Sequence, residues 1–234
     1  MNERRFAIYF VPPAESDLYR FGAAFLGYDC YSGAELGCPA DVGLAAPEWT
    51  QLTREPRRYG FHATLKAPFR LLPSCSEADL TAELHRFSGL PRTPSVIAPT
   101  IRLLAGFIAI VPGQPSSDLD RLAADCVTAF DRFRRPLTVR ERSKRLAAGL
   151  SASQIAHLDR WGYPFVFDDF RFHMTLTGPV GMDRRGAMLT LLQAGLERSH
   201  GRHALPIAQL ALVRQDDPST PFRVVCAAEL NALR

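Results

Sequence analysis

The chain has 234 residues, 47% of them hydrophobic and 22% charged, which excludes wholesale disorder and sets the scale at one large domain or two small lobes. Its net charge of +4 and pI of 8.9 suit an anionic substrate but are too weak to argue nucleic-acid binding. No apolar run approaches the roughly 18 residues of a membrane span, and five scattered cysteines with no CxxC pair give neither a disulfide framework nor a zinc pattern, so most of them are expected to be small buried hydrophobes.

From the N-terminus, a basic start leads into the apolar run Phe6 to Val11, a β-rich segment that ends at Pro12-Pro13. That run is too short for a signal peptide, so the expectation is a soluble, cytoplasmic protein with no membrane partner. Ser16-Asp17 then caps a helix carrying Leu18, Phe21 and Phe25. The Gly- and Pro-rich stretch 29–56 is expected to be a long loop with one short helical turn. A strand over Phe61 to Phe69 follows, then a capping box at Ser76-Glu77-Ala78-Asp79 and a helical stripe of Leu80, Leu84 and Phe87. Strand-like segments lie at about 96–104 and at Phe107 to Val111. The second leads into a helix with Leu119, Leu122, Cys126, Val127, Phe130 and Phe133 at spacings of three and four. Ser151-Ala152-Ser153-Gln154 caps another helix with Ile155, Leu158 and Trp161. After a second His-containing strand come a helix with Ala187, Met188, Leu191, Leu192 and Leu196, a strand near 206–214 and a last strand near 222–229.

The chain is internally repeated. Phe61-His62-Ala63-Thr64-Leu65-Lys66-Ala67-Pro68 recurs 111 residues later as Phe172-His173-Met174-Thr175-Leu176-Thr177-Gly178-Pro179. Ser16-Asp17-Leu18-Tyr19-Arg20 matches Ser117-Asp118-Leu119-Asp120-Arg121 at an offset of 101. The growing offset places extra residues in the second copy at about 134–161. The expected architecture is a single α+β bilobal domain built by pseudo-twofold duplication, with a first repeat at about 1–105 and a second at about 106–234. Each lobe is an antiparallel sheet with helices on its outer face, and a central cleft lies between the lobes.

Strand alternation separates the two motifs into faces. Phe61, Ala63, Leu65, Ala67 and Phe69 form an apolar face, with His62, Thr64 and Lys66 opposite. Phe172, Met174 and Leu176 do the same against Arg171, His173, Thr175 and Thr177. Each lobe therefore turns a His-x-Thr pair outward, and a pseudo-twofold would bring two imidazoles and two hydroxyls together. Imidazoles titrating near neutrality serve as base and acid for phosphodiester cleavage, and Thr hydroxyls donate to the non-bridging oxygens. Lys66 or Arg171 would add positive charge there, with a solvated rim position as the alternative. Tyr9, on a strand face with Arg5 and Ala7, is either a cleft-floor residue or a core tyrosine. Tyr59 points away from His62 if the strand has already begun at residue 59, and reaches the site if it has not. No metal or other cofactor is required, and Asp168-Asp169 and Asp216-Asp217 read as turns.

His62-Ala63-Thr64-Leu65 and His173-Met174-Thr175-Leu176 resemble the paired motifs of the two-histidine (2H) phosphoesterases, bilobal α+β proteins with one His-x-Thr/Ser per lobe. The resemblance implies catalysis by His62 and His173, phosphate binding by Thr64 and Thr175, and a small phosphoester as partner. The stretches Arg57 to Phe69, Arg5 to Phe10 and Arg160-Trp161-Gly162-Tyr163-Pro164 further resemble an uncharacterised bacterial branch associated with phosphonate-metabolism operons. That branch implies a small sugar cyclic phosphate, such as a 5-phosphoribosyl 1,2-cyclic phosphate. Two alternatives stand beside this metal-independent phosphodiesterase: an enzyme processing RNA ends, served by the basic run Arg134, Arg135, Arg140, Arg142, Lys144 and Arg145, and a phosphate- or nucleotide-binding module without turnover. The basic run by default is a solvated face, and its other roles would be a lid or an anchor for a second phosphate. His85, His157, His200 and His203 lack a matching Thr and are read as non-catalytic. The sequence is silent on oligomeric state.

Overall fold

The computed structural model describes residues 4–232, so the outermost ends of the expected repeats, and part of the basic N-terminal start, lie outside the described residues. In chain order the elements are β1 (Arg5–Phe10), α1 (Asp17–Leu26), α2 (Ala46–Arg57), β2 (Ala63–Phe69), α3 (Glu77–Ser88), β3 (Ser95–Ile97), β4 (Pro99–Leu104) and β5 (Phe107–Pro112). Then come α4 (Ser117–Phe130), α5 (Val139–Leu146), α6 (Ala152–Trp161), β6 (Met174–Thr175), α7 (Arg185–Ser199), β7 (Leu205–Ile207), β8 (Gln209–Gln215) and β9 (Arg223–Glu229). The fold is α+β. Seven strands form one antiparallel sheet in the order β4-β5-β6-β2-β1-β8-β9, and β3 and β7 form a separate pair.

Apart from β9, the strand order is symmetric about the seam between β6 and β2. The flanking pairs β5 and β1, then β4 and β8, stand at equal distances from it. The helices follow the same symmetry: α3 lies on β8 and α7 on β4, while α3 touches α4 and α1 touches α7. A boundary near residue 105 does not separate the two sides of the sheet, because β4 is hydrogen-bonded to β5, and β8 to β1. The two sides meet as hydrogen-bonded neighbours in one continuous sheet, with Ala63 paired to Met174 at the seam.

The register corrects the sequence alignment by one residue. Phe10 pairs with Ala63 as Ile110 pairs with Met174, an offset of 100 rather than 101. The helix caps agree: Ser16 caps α1 and Ser116, not Ser117, caps α4, each accepting a hydrogen bond from the third residue onward. The capping boxes at Ser76 and Ser151 form as the sequence predicts.

One expectation fails in the stretch 29–56. It holds all but the last residue of α2, a helix of 12 residues. The stretch looks like a loop because Pro47 and Pro56 bracket the helix and no side chain caps it. Pro47 sits in the first turn, where no N–H is needed. Tertiary contacts hold the rest: the Trp49 indole donates to the Phe25 carbonyl at 2.7 Å, and the Arg57 guanidinium lies 4.4 Å over the Trp49 ring. Among the cysteines, Cys30 and Cys126 are buried, whereas Cys38, Cys75 and Cys226 are only partly so. No helix among the described residues is long and apolar enough to cross a membrane.

The core lies between the sheet and the helices. Ile8, Phe10, Ala63, Ile108, Ile110 and Met174 are fully buried along it. Gly22 of α1 has a local reason to be glycine: a Cβ there would lie 2.2 Å from the ring of Phe61, the residue before His62. The bare helix backbone lets that ring pack flat and anchors the start of the first His motif.

Candidate active site

Antiparallel pairing of Ala63 with Met174 puts His62 opposite Thr175 and Thr64 opposite His173. Residues flanking an inward-facing pair point to the other face. The two imidazoles and two hydroxyls therefore form a four-cornered group over the seam, on the face away from the apolar core. The predicted set of His62, Thr64, His173 and Thr175 is brought together.

Each imidazole is held in the same way. His62 Nδ1 lies 2.9 Å from the Gly60 carbonyl, and His173 Nδ1 lies 2.8 Å from the Arg171 carbonyl. In both, the acceptor sits two residues upstream. A carbonyl can only accept, so each Nδ1 carries the proton, and each Nε2 is left for the open face. His62 Nε2 meets the Thr64 hydroxyl at 3.1 Å. The Gly60 carbonyl is aimed by a left-handed backbone at φ +73°, where a Cβ would also come within 2.7 Å of the Cys30 Cβ.

The environments of the two histidines differ. Tyr9 pairs with Thr64 in the sheet, and its ring stacks on His62 with centroids 3.7 Å apart. Ala109 pairs with Thr175 in the symmetric position. His173 thus has a methyl group where His62 has a phenol, and the Phe107 ring stands off from it at 5.8 Å. Burial pushes the His62 imidazole down to about 4; the Gly60 carbonyl opposes this and the nearby His173 adds to it. The Tyr9 hydroxyl is buried and makes no hydrogen bond of good geometry among the described residues, although Thr64 is close enough to affect it. Burial pushes that phenol well above its ordinary range.

Lys66 does not share the His62 face. In the β1–β2 ladder Tyr9 pairs with Thr64 but Ile8 pairs with Lys66, so Leu65 is an extra residue. This bulge reverses the alternation immediately after the motif. The Lys66 ammonium is buried under α4, donating to the Val127 carbonyl at 3.0 Å and to Asp131 at 2.8 Å. Burial lowers its pKa to about 8, against the pull of Asp131. The second motif has the same irregularity: the amides of Leu176 and Thr177 both donate to the Ile108 carbonyl. Thr177 is fully buried and accepts from the Ile108 amide at 2.9 Å, so it too leaves the predicted polar face. Arg171 folds back on its own turn, donating to the carbonyls of Asp168 and Phe170 at 2.8 and 2.5 Å.

Tyr59 precedes the strand, in the turn after α2, and reaches the site. Its ring lies 6.2 Å from His62 and stacks on Phe222 at 5.5 Å. It lines a cavity of about 810 Å³ together with Arg5, Arg145, Trp161 and Tyr163. Sequence reasoning gave Arg145 only as part of a basic run and Tyr163 only as part of a resemblance. α6 ends at Gly162 with φ 74°, and the chain reversal there delivers Tyr163. Burial raises the Tyr163 phenol pKa. His157 and His200 are engaged elsewhere, with Asp169 and the His203 carbonyl.

Several known proteins resemble the chain. It is 36% identical over 221 residues to the ribose 1,5-bisphosphate phosphokinase PhnN of Janthinobacterium sp. (strain Marseille), covering 93% of this chain and 49% of that protein. It is 32% identical over 226 residues to the protein of the same name from Laribacter hongkongensis (strain HLHK9), covering 94% and 50%. The chain therefore spans about half the length of the curated relatives it matches. Among solved structures, LigT of E. coli complexed with NADP+ is 12% identical with a TM-score of 0.44, covering 97% of this chain and 98% of that one. TT0787 of Thermus thermophilus is 16% identical with a TM-score of 0.46, covering 98% and 100%. The model for proteins of unknown function DUF1045 matches residues 64–223, and the chain belongs to that family.

Proposed function

We propose that the protein is a metal-independent phosphodiesterase of the two-histidine type that opens a small cyclic phosphate. The observation that carries this is the matched pair of imidazoles at the seam, each tied through Nδ1 to the carbonyl two residues upstream, each with a Thr hydroxyl beside it. His62, held neutral by burial, takes a proton through Nε2 from the attacking water. One P–O bond forms to that water oxygen and one breaks to the sugar oxygen. His173, whose anchoring hydrogen bond is exposed where that of His62 is partly buried, gives its Nε2 proton to the departing oxygen. The hydroxyls of Thr64 and Thr175 donate to the non-bridging oxygens as negative charge builds there. The products are a phosphomonoester and a free hydroxyl, at the cost of one water.

The curated relatives suggest the substrate class. Their name describes a kinase acting on ribose 1,5-bisphosphate, and this chain spans half of them. The sequence here contains no G-x-x-x-x-G-K-S/T loop to cradle a nucleotide phosphate. We assign the kinase activity to the other half of those relatives and to this half a reaction that supplies the kinase. Opening a 5-phosphoribosyl 1,2-cyclic phosphate at the 2-oxygen would yield ribose 1,5-bisphosphate. Hydrolysis of that compound, compared with nucleoside 2′,3′-cyclic phosphates and a short RNA with a cyclic end, tests the reading. His62→Ala and His173→Ala should each lower kcat by about 10²–10⁴-fold. Retention of most turnover in either variant would refute the two-histidine mechanism, and preference for the RNA would replace the sugar phosphate.

A further inference from the structure

The cavity that Tyr59 lines has a volume of about 810 Å³, within the range of small-molecule sites. Several of its cations are already neutralised. Arg134 and Lys66 share Asp131, at 2.7 and 2.8 Å, and Arg70 pairs with Glu141. Among the described residues Arg5, Arg58, Arg135, Arg140, Lys144 and Arg145 are not so paired, and of these Arg5 and Arg145 lie against aromatic rings. Arg5 donates from Nε to the neutral Gln215 side chain at 2.8 Å and lies 5.4 Å from the Phe222 ring centroid. Arg145 lies 5.6 Å from the centroid of Tyr163. Among the described residues neither guanidinium makes an ion pair with a carboxylate. Arg145 is partly buried, and burial depresses its pKa, with Tyr163 and Glu141 opposing and Arg5 and Arg134 adding to the effect. Cations drawn out of water without a counter-ion are costly, and an arriving anion removes that cost.

The same groups adjoin the chemistry. Phe222, beneath Arg5, stacks on Tyr59, whose ring is 6.2 Å from His62. Tyr9, which stacks on His62, feels the charge of Arg5. We propose that Arg145 and Arg5 bind a second anionic group of the substrate, a phosphomonoester on the same small sugar whose cyclic phosphate lies between His62 and His173. Two guanidinium forks suit a dianionic phosphate, and the Tyr163 phenol, which burial keeps protonated, is a neutral donor beside them. The proposal deepens the phosphodiesterase reading and rests on it for the position of the cyclic phosphate. A polynucleotide would need a track of successive phosphate contacts. The pairing of Arg134, Lys66 and Arg70 removes three contacts from such a track, and only Arg58, Arg135, Arg140 and Lys144 of the lining remain to extend it.

Two measurements test this and separate its failure from failure of the chemistry. The first is the ratio of kcat/KM for 5-phosphoribosyl 1,2-cyclic phosphate to that for ribose 1,2-cyclic phosphate. Arg145→Gln should lower this ratio about 10- to 100-fold through KM, Arg5→Gln should act in the same direction, and Arg145→Lys should recover part of the loss. An unchanged ratio in both Gln variants would overturn the proposal. The second is calorimetric binding of ribose 5-phosphate to the His62→Ala/His173→Ala double variant, which needs no turnover. Binding kept in the double variant and lost when Arg145→Gln is added supports the subsite even if the two-histidine chemistry fails. Binding indifferent to Arg145, in protein whose melting curve shows it folded, overturns it. A larger Arg145 effect on a cyclic-ended RNA than on the sugar phosphate would also overturn it, in favour of an RNA backbone contact.

Discussion

Replacing Tyr9 with Ala should move the acid limb of the pH–rate profile. The Tyr9 ring lies 3.7 Å from the His62 ring and excludes water from one side of it. Burial holds His62 at about 4, against 6.5 for an ordinary histidine. That gap corresponds to about 3 kcal/mol, at 1.36 kcal/mol per unit. A base works only when unprotonated, so the acid limb of kcat/KM in the wild type should fall near pH 4. Removing the ring admits water, stabilises the imidazolium and raises the pKa towards 6.5. With a pKa near 4, about 90% of His62 is neutral at pH 5, and with full relaxation about 3%, so the ceiling on the loss at pH 5 is about 30-fold. At pH 8 protonation no longer distinguishes the variants. Tyr9→Phe keeps the ring and loses only a hydroxyl without a good hydrogen bond, so its limb should stay near 4. The cavity in Tyr9→Ala costs about 3–5 kcal/mol of stability, so rates are taken at low temperature on protein with native near-ultraviolet circular dichroism. An acid limb that stays within half a unit of the wild type in folded Tyr9→Ala would refute desolvation by this ring as the cause.

The same histidine makes stability depend on pH. Its folded pKa lies below the unfolded value, so the unfolded chain takes up the proton first, and stability should fall as pH drops from about 6.5 towards 4 in urea titrations. Thr175→Val should lower kcat about 10²- to 10³-fold with little effect on the urea midpoint. Thr177→Val should do the reverse, costing about 1–3 kcal/mol by orphaning the Ile108 amide while sparing kcat. Asp131→Ala leaves the buried Lys66 ammonium without its partner and should cost about 3–5 kcal/mol in urea melts. Lys66→Met should cost less, since Arg134 still pairs with Asp131. Gly60→Ala forces a Cβ into a left-handed backbone, at about 1–2 kcal/mol, and against Cys30. Because it also displaces the carbonyl that orients His62, kcat should fall together with the melting temperature.

The sequence carried the repeat, the two His-x-Thr pairs and most helices, because each is written locally, in a motif or in an apolar spacing with its cap. It misplaced Lys66 and Thr177 because alternation assumes an unbroken ladder, and a bulge changes the face of everything after it at no visible cost in residue type. It missed α2 because its proline-bracketed segment is a poor helix by propensity and is held by Trp49 and Arg57 against α1. β4 and β8 each join the strands of the other copy. Such an exchange leaves no mark on local pattern. Arg145 and Tyr163 reach the cavity only through the packing of α5 and α6.

The duplication also explains why sequence could not assign the two imidazoles their roles. His62 and His173 have the same neighbours at plus two and plus three and make the same hydrogen bond to the carbonyl two residues back. A symmetric pair would share a proton with no preference. The asymmetry enters from the adjacent strands, where Tyr9 stands against Thr64 and Ala109 against Thr175. One aromatic ring on one side removes water from one imidazole and so favours its neutral form. The other imidazole has only the Ala109 methyl group in that place. On the proposed mechanism, the difference between base and acid thus resides in residues 9 and 109 rather than in the histidines, and the direction in which the substrate is read across the seam follows from it.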